Sequence, residues 1–396
     1  MYSETDKEGF FNAVESLKKY RRADLVDEKG RNLLEKLYTD LLPDDYILKK
    51  SLKDHTTYLV GRKGTGKSTI FLRIEQELRK SSQYLPCYID VKTVYESAQT
   101  EYLNLDYLSD YLEPKSLQKY LIERSFLQSV LKRLIEEVEL KYAGFYEKLL
   151  KALGRDKERK AKNKLSVLKQ KIEDNEILKE IEIPIIKSIS NIERNANIRK
   201  KVKGGDESKS ELKGNISKKG VTVSLKNETK HLDKETTSNS IENEQNFSSI
   251  FLQVFQIKSF ISDIKEILQD LKVKHIVVLL DDFSEIEDQA IETFVEVLLA
   301  PLNNWSDEFI KFKVAAYPNR VYYGKIDPTK IDTINLDFYS LYSDFDRNRM
   351  EEGAIDFTKR LLEKRISYFT KKPLGSFLIY PNRLSKNITS FFFKAQ

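Results

Sequence analysis

Three glycines within six residues, followed at once by a lysine and two hydroxyls, form the first stretch of this chain that can do chemistry. Residues 61–69 read Gly61, Arg62, Lys63, Gly64, Thr65, Gly66, Lys67, Ser68, Thr69. Glycines let successive backbone N–H groups turn inward and cup an anion, which a Cβ would obstruct. The run before them, Tyr58-Leu59-Val60, is apolar and β-prone, and Ser68 to Lys80 has helical spacing. The expectation is strand, tight loop, helix, with the positive end of the helix dipole aimed at the same anion. Lys67 would reach terminal phosphates and the Ser68 hydroxyl would ligate Mg²⁺.

The spacing Gly61-x-x-x-x-Gly66-Lys67-Ser68 matches the phosphate-binding Walker A pattern. The plainer alternative is a glycine turn that ends a strand. A second constellation favours the cradle. Ile276 to Leu280 is an uninterrupted apolar run ending in Asp281 and Asp282, as in a Walker B strand. A strand apolar on both faces belongs inside a covered parallel sheet. Its C-terminal edge is where open α/β sheets bind ligands. Asp281 would hold Mg²⁺, and Asp282 would take the proton of an attacking water or orient it. Glu285, about one turn on, is the rival for that role. The next strand, in "FIKFKVAAYPNR", ends beside Asn319 and Arg320. Asn319 is the candidate for a terminal-phosphate contact, with Arg320 next; the alternative is a simple Pro318-Asn319 turn.

Other elements must hold these groups in place. "FFNAVESLKKY", "RNLLEKLYTDLL" and "DDYILKKSL" read as helices within residues 1–50. Residues 51–153 and 247–343 make the α/β core, with strands at "TTYLV" and "LPCYIDVK" and a long helix from Pro114 to about Leu153. Ile250, Val254, Ile257, Ile261, Ile264, Leu268 and Leu271 step by four and three along one helical face. That helix feeds the acidic strand, and another is expected from Ile286 to Leu299. Between the two core segments lies an insertion, residues 154–246. It begins with eight basic and two acidic residues between Gly154 and Ile172. Further on, "VTVSL" alternates strictly, so a hairpin tip around "KKG" is expected in an otherwise solvated, partly disordered arm. Residues 344–396 would form a short helical lid.

Composition narrows the classes. Net charge is +6 against 68 basic and 62 acidic residues, so any basic footprint is local rather than global. The single cysteine, Cys87, sits in a buried-strand context and excludes an internal disulfide. Three dispersed histidines (His55, His231 and His275) without cysteine partners argue against zinc. The sequence carries neither the basic and apolar regions of a signal peptide at "MYSETDKEGFF" nor a bilayer-length apolar run, so a cytoplasmic location and no membrane contact are expected.

Taken together, strand–GRKGTGKST–helix, an intervening strand, "IVVLLDD" and a further strand ending in a polar residue resemble the ASCE division of P-loop ATPases. Within it the chain looks most like the AAA+/STAND group, including origin-recognition-like and KAP-like members. The resemblance covers about residues 40–340. It implies a three-layer fold with a five-stranded parallel sheet in the order 5-1-4-3-2, and contacts to the base from around Leu42, Pro43, Tyr46 and Ile47. An acidic pair ending in Asp282 rather than Glu is more like the slow STAND and KAP switches. Arg383 would be the lid arginine, and Arg320 or Arg365 a finger toward a neighbouring subunit. No guanine signature is present, which favours ATP over GTP.

Several functions stay open on these residues. A regulatory ATPase would control a partner protein or assemble with copies of itself, and bacterial chains resembling this one often serve in defence against phage. An origin-recognition-like protein would bind DNA through the basic insertion. A nucleotide-dependent scaffold would bind ATP with little hydrolysis. A small-molecule kinase would use Asp90 as base, but the double acid argues against it.

Overall fold

The computed structural model describes residues 3–18, 26, 32–104, 114–145, 155–173, 257–305, 307–343 and 350–373. The expected hairpin, most of the 154–246 insertion, the start of the helix at Ile250 and the Arg383 segment lie outside them. The chain folds into two compact units: Met1–Thr93 with Arg133–Lys162 and Lys265–Gln396, and Val94–Lys132 with Asn163–Ile264.

The first unit is built on five parallel strands: β1 (Thr56–Val60), β2 (Tyr84–Asp90), β3 (His275–Asp281), β4 (Ile310–Ala316) and β5 (Ile331–Asn335). Their order is β2-β3-β4-β1-β5, which is the expected 5-1-4-3-2 read from the other edge. β1 is buried at every position, and β3 at every position after His275. Central strands of a parallel sheet need apolar residues on both faces because helices cover both. On one face Leu59, Val277, Leu279, Ala315 and Ile334 pack with Ile70, Phe71, Ile74 and Leu78 of α4 (Lys67–Arg79). Leu34, Ile47 and Leu48, from α2 (Leu34–Leu37) and α3 (Tyr46–Ser51), close the same cluster. α1 (Glu4–Lys18) lies so close to α12 (Met350–Thr370) that a Cβ on Gly9 would meet the Phe369 carbonyl oxygen at 2.8 Å.

Three local expectations are corrected. The strand at "LPCYIDVK" stops at Asp90, whose Oδ1 accepts the Thr93 N–H at 3.2 Å and starts α5 (Val91–Asn104). The "RNLLEKLYTDLL" helix is one turn long, ending at Leu37. The helix expected from Ile286 to Leu299 is instead α9 (Asp288–Phe294), a π turn (Val295–Leu299) and α10 (Ala300–Asn303). Pro301 explains the widened turn: it has no N–H to donate, and its ring would strike the carbonyl one α-turn back, at Val297.

Of the remaining helices, α6 (Pro114–Phe145) follows the predicted long run. α7 (Arg155–Glu173) carries the basic stretch, α8 (Ile257–Gln269) the four-and-three apolar face, and α11 (Phe338–Ser343) follows β5. Among the described residues no helix is long and apolar enough to cross a membrane.

Candidate functional site

Sheet order decides which residues meet. β4 lies between β1 and β3, so the glycine loop after β1 and the acids ending β3 flank the end of β4. The ladder continues into the loop: the Gly61 N–H donates to the Ala316 carbonyl at 3.0 Å. A side chain at Gly61 would be crowded, because its Cβ would meet Leu336 Cβ at 3.0 Å and run into the Thr65 hydroxyl. Gly64 and Gly66 take φ of +90° and +87°, which L side chains rarely adopt, with nothing within 4 Å of where a Cβ would stand. Their requirement is backbone conformation and an open loop, not packing.

Lys67 opens α4 at the foot of this loop. Its ammonium donates to the carbonyls of Gly61 (2.5 Å) and Arg62 (2.9 Å) and stands 4.5 Å from the centre of the Tyr317 ring. Burial pulls its pKa below the ordinary lysine value, while the charges of Asp281, Asp282 and Glu285 act in the opposite sense. The buried cation is thus held by two carbonyls and a ring face, with three acids close enough to favour its charge. Ser68 and Thr69 are half-buried beside it, and Arg62 and Lys63 are exposed on the loop.

Asp281 is 2% exposed at the sheet edge. One carboxylate oxygen accepts the Asp282 N–H at 2.9 Å, and the other accepts the hydroxyl of Tyr88 on β2. Asp282 sits at φ +54°, a left-handed conformation that Asp tolerates better than most residues, and it turns the chain into the 3₁₀ turn Phe283–Glu285. Glu285 is exposed, and its Oε1 accepts the Tyr317 hydroxyl. That bond and burial push the Tyr317 phenol up to about 12, burial contributing most.

The structure also places the remaining candidates. Asn319 is exposed at φ +64° in a turn closed by the Arg320 N–H on the Tyr317 carbonyl at 3.1 Å. Arg320 clamps the acidic turn: its guanidinium donates to the Ser284 and Ile286 carbonyls and to Asp288, each at 2.7 Å. Arg365 donates to the Ser16 carbonyl and hydroxyl at 2.8 Å. Both finger candidates are thus engaged within their own chain. Leu42 and Ile47 are core residues, which leaves Pro43 and Tyr46 exposed among the four expected at a base. A cavity of about 460 Å³ lined by Asp40, Arg360 and Lys364 shares no residue with this constellation.

Comparison with protein-family models, with curated proteins and with solved structures gives no match to this chain. The site therefore rests on its own geometry. Two tyrosines in it were not singled out by sequence reasoning. Tyr317 closes the apolar run of β4, and its signal was the strand order itself: whatever follows β4 must stand between Lys67 and the β3 acids. Tyr88 was hidden inside a buried strand, where a tyrosine reads as core and its hydroxyl goes unnoticed.

Proposed function

We propose that this chain is a P-loop ATPase of regulatory type that binds Mg²⁺–ATP at residues 61–69 and hydrolyses it slowly to ADP and phosphate. The observation that carries the reading is the placement of Lys67, buried beneath a positive-φ glycine loop with Asp281 and Glu285 across the end of β4. Backbone N–H groups of Gly64 to Lys67 would hold the phosphates, and the Lys67 ammonium would exchange its two loop carbonyls for phosphate oxygens. Ser68 and Asp281 offer the oxygen donors that a hard divalent cation takes, and the buried Asp281 is already oriented by Tyr88. Mg²⁺ bound there would neutralise charge developing on the phosphates. Glu285 or Asp282 would orient the attacking water and accept its proton. ATP-dependent change at the ends of β1, β3 and β4 would then control a partner protein or self-assembly, and defence against phage is one setting for such a switch.

A second reading has its own observation. α7 exposes Lys157, Arg159, Lys160, Lys164 and Lys171, a basic surface suited to nucleic-acid backbone. Steady-state ATP turnover by the purified chain, with and without double-stranded DNA and with Lys67→Ala as blank, separates the two. Slow, Lys67-dependent turnover indifferent to DNA is the expected result. Turnover stimulated several-fold by DNA and lost at high salt would favour the DNA-coupled reading. Turnover that persists in Lys67→Ala would refute the site.

A further inference from the structure

Lys67 and Glu285 lie on different segments, and Tyr317 touches both. Its ring face is 4.5 Å from the Lys67 ammonium, and its hydroxyl donates to Glu285 Oε1. The backbone turn that carries the phenol is fixed at both ends. The Tyr317 N–H donates to the Ser284 hydroxyl at 2.8 Å, and that hydroxyl donates to the Arg320 carbonyl at 3.2 Å. Arg320 in turn grips Ser284, Ile286 and Asp288, so the turn that carries Glu285 and the turn that carries Tyr317 form one laced frame. A surface carboxylate ordinarily samples many rotamers; here one oxygen is held by the Tyr317 hydroxyl.

We propose that Tyr317 is the positioning residue of this site, its ring holding the Lys67 ammonium at the loop and its hydroxyl selecting Glu285, rather than Asp282, as the carboxylate that orients water. The inference rests on the phosphate-cradle reading and deepens it. The two contacts assign separate jobs to two parts of one side chain. The ring pre-organises the cation and therefore acts on nucleotide affinity. The hydroxyl sets the carboxylate and therefore acts on turnover alone. Tyr317→Phe keeps the first and loses the second; Tyr317→Leu loses both.

The test measures binding of a fluorescent ATP analogue together with steady-state turnover for wild type, Tyr317→Phe, Tyr317→Leu, Glu285→Gln and the Phe/Gln double variant. Thermal melting serves as the control for folding. Tyr317→Phe should bind within about twofold of wild type and keep KM, while kcat falls about tenfold, the scale of a misplaced general base. Tyr317→Leu should bind about fivefold more weakly, the scale of one lost cation–π contact. The double variant should turn over no more slowly than Glu285→Gln, because both changes remove the same function. Additive losses, a wild-type kcat in Tyr317→Phe, or undiminished affinity in Tyr317→Leu would each overturn the proposal. Wild type that binds no nucleotide would instead refute the cradle beneath it. Wild type that binds without turning over would overturn the assignment of Glu285.

Discussion

Asp281 keeps a carboxylate 2% exposed at the end of a strand, and such a group is tolerable only when its oxygens are partnered. The Tyr88 hydroxyl supplies one partner and the Asp282 N–H the other. Tyr88 itself is wedged edge-on against Phe71 of the lysine-bearing helix, ring centres 6.3 Å apart, so its hydroxyl has little freedom to leave. Tyr88→Phe removes the bond without emptying the space and is expected to destabilise the fold by about 1–2 kcal/mol in urea unfolding. It should also raise the Mg²⁺ concentration needed for half-maximal nucleotide binding. Stability and Mg²⁺ dependence both equal to wild type would show that the hydroxyl does not orient Asp281.

At the scale of elements, the lysine-bearing helix is bolted from behind. Arg79 of α4 pairs with Glu75 at 2.9 Å and with Glu137 of α6 at 2.5 Å, and the two carboxylates are 7% and 3% exposed. Burial raises the Glu75 pKa above the usual carboxylate value, with the Glu137 charge acting in the same direction. Arg79→Met leaves two buried carboxylates without their shared guanidinium and is expected to cost about 2–4 kcal/mol. Adding Glu75→Gln and Glu137→Gln in that background should recover most of the loss. A cost as small as that of Lys80→Met, at an exposed pair, would show that the bolt contributes nothing. This bolt was not legible in the sequence, since residues 58 apart in chain order carry no periodic signal. Four of the five strands were, because burial forces apolar runs such as Ile276–Leu280; β5, an edge strand buried only at Ile334, carries no such run. The π turn was not, although Pro301 stood in plain view: a proline announces a lost bond but not how the helix absorbs it. In the site, the glycine spacing and the paired acids could be read directly. The two tyrosines could not, since their roles follow from neighbours that only the strand order supplies.

For the molecule as a whole, one buried and one half-buried lysine give stability a pH dependence. Lys313 in β4 donates to the Lys53 carbonyl (2.7 Å), the His55 carbonyl (2.5 Å) and the Thr57 hydroxyl (3.1 Å), yet burial pushes its pKa down to about 7. Lys141 of α6 is likewise pushed down by burial, to about 8. A lysine whose folded pKa lies below its unfolded value binds fewer protons when folded, so stability rises with pH above the folded pKa. Between pH 7 and 9 the free energy of unfolding should rise by about 1 kcal/mol per pH unit, and Lys313→Met should flatten much of that slope. Above pH 9 the buried Cys87 thiol, whose pKa burial raises, begins to act in the opposite sense. A wild-type slope that is flat or falling from pH 7 to 9 would contradict the burial of these amines. Equilibrium binding of a fluorescent ATP analogue to wild type and Lys67→Ala, with and without Mg²⁺, tests the phosphate cradle most directly. Mg²⁺-dependent binding with a Kd in the range of about 1 μM to 1 mM, abolished in Lys67→Ala while its melting curve stays cooperative, is the expected result. Equal binding by the two proteins, or none by either, would contradict a phosphate cradle at residues 61–69.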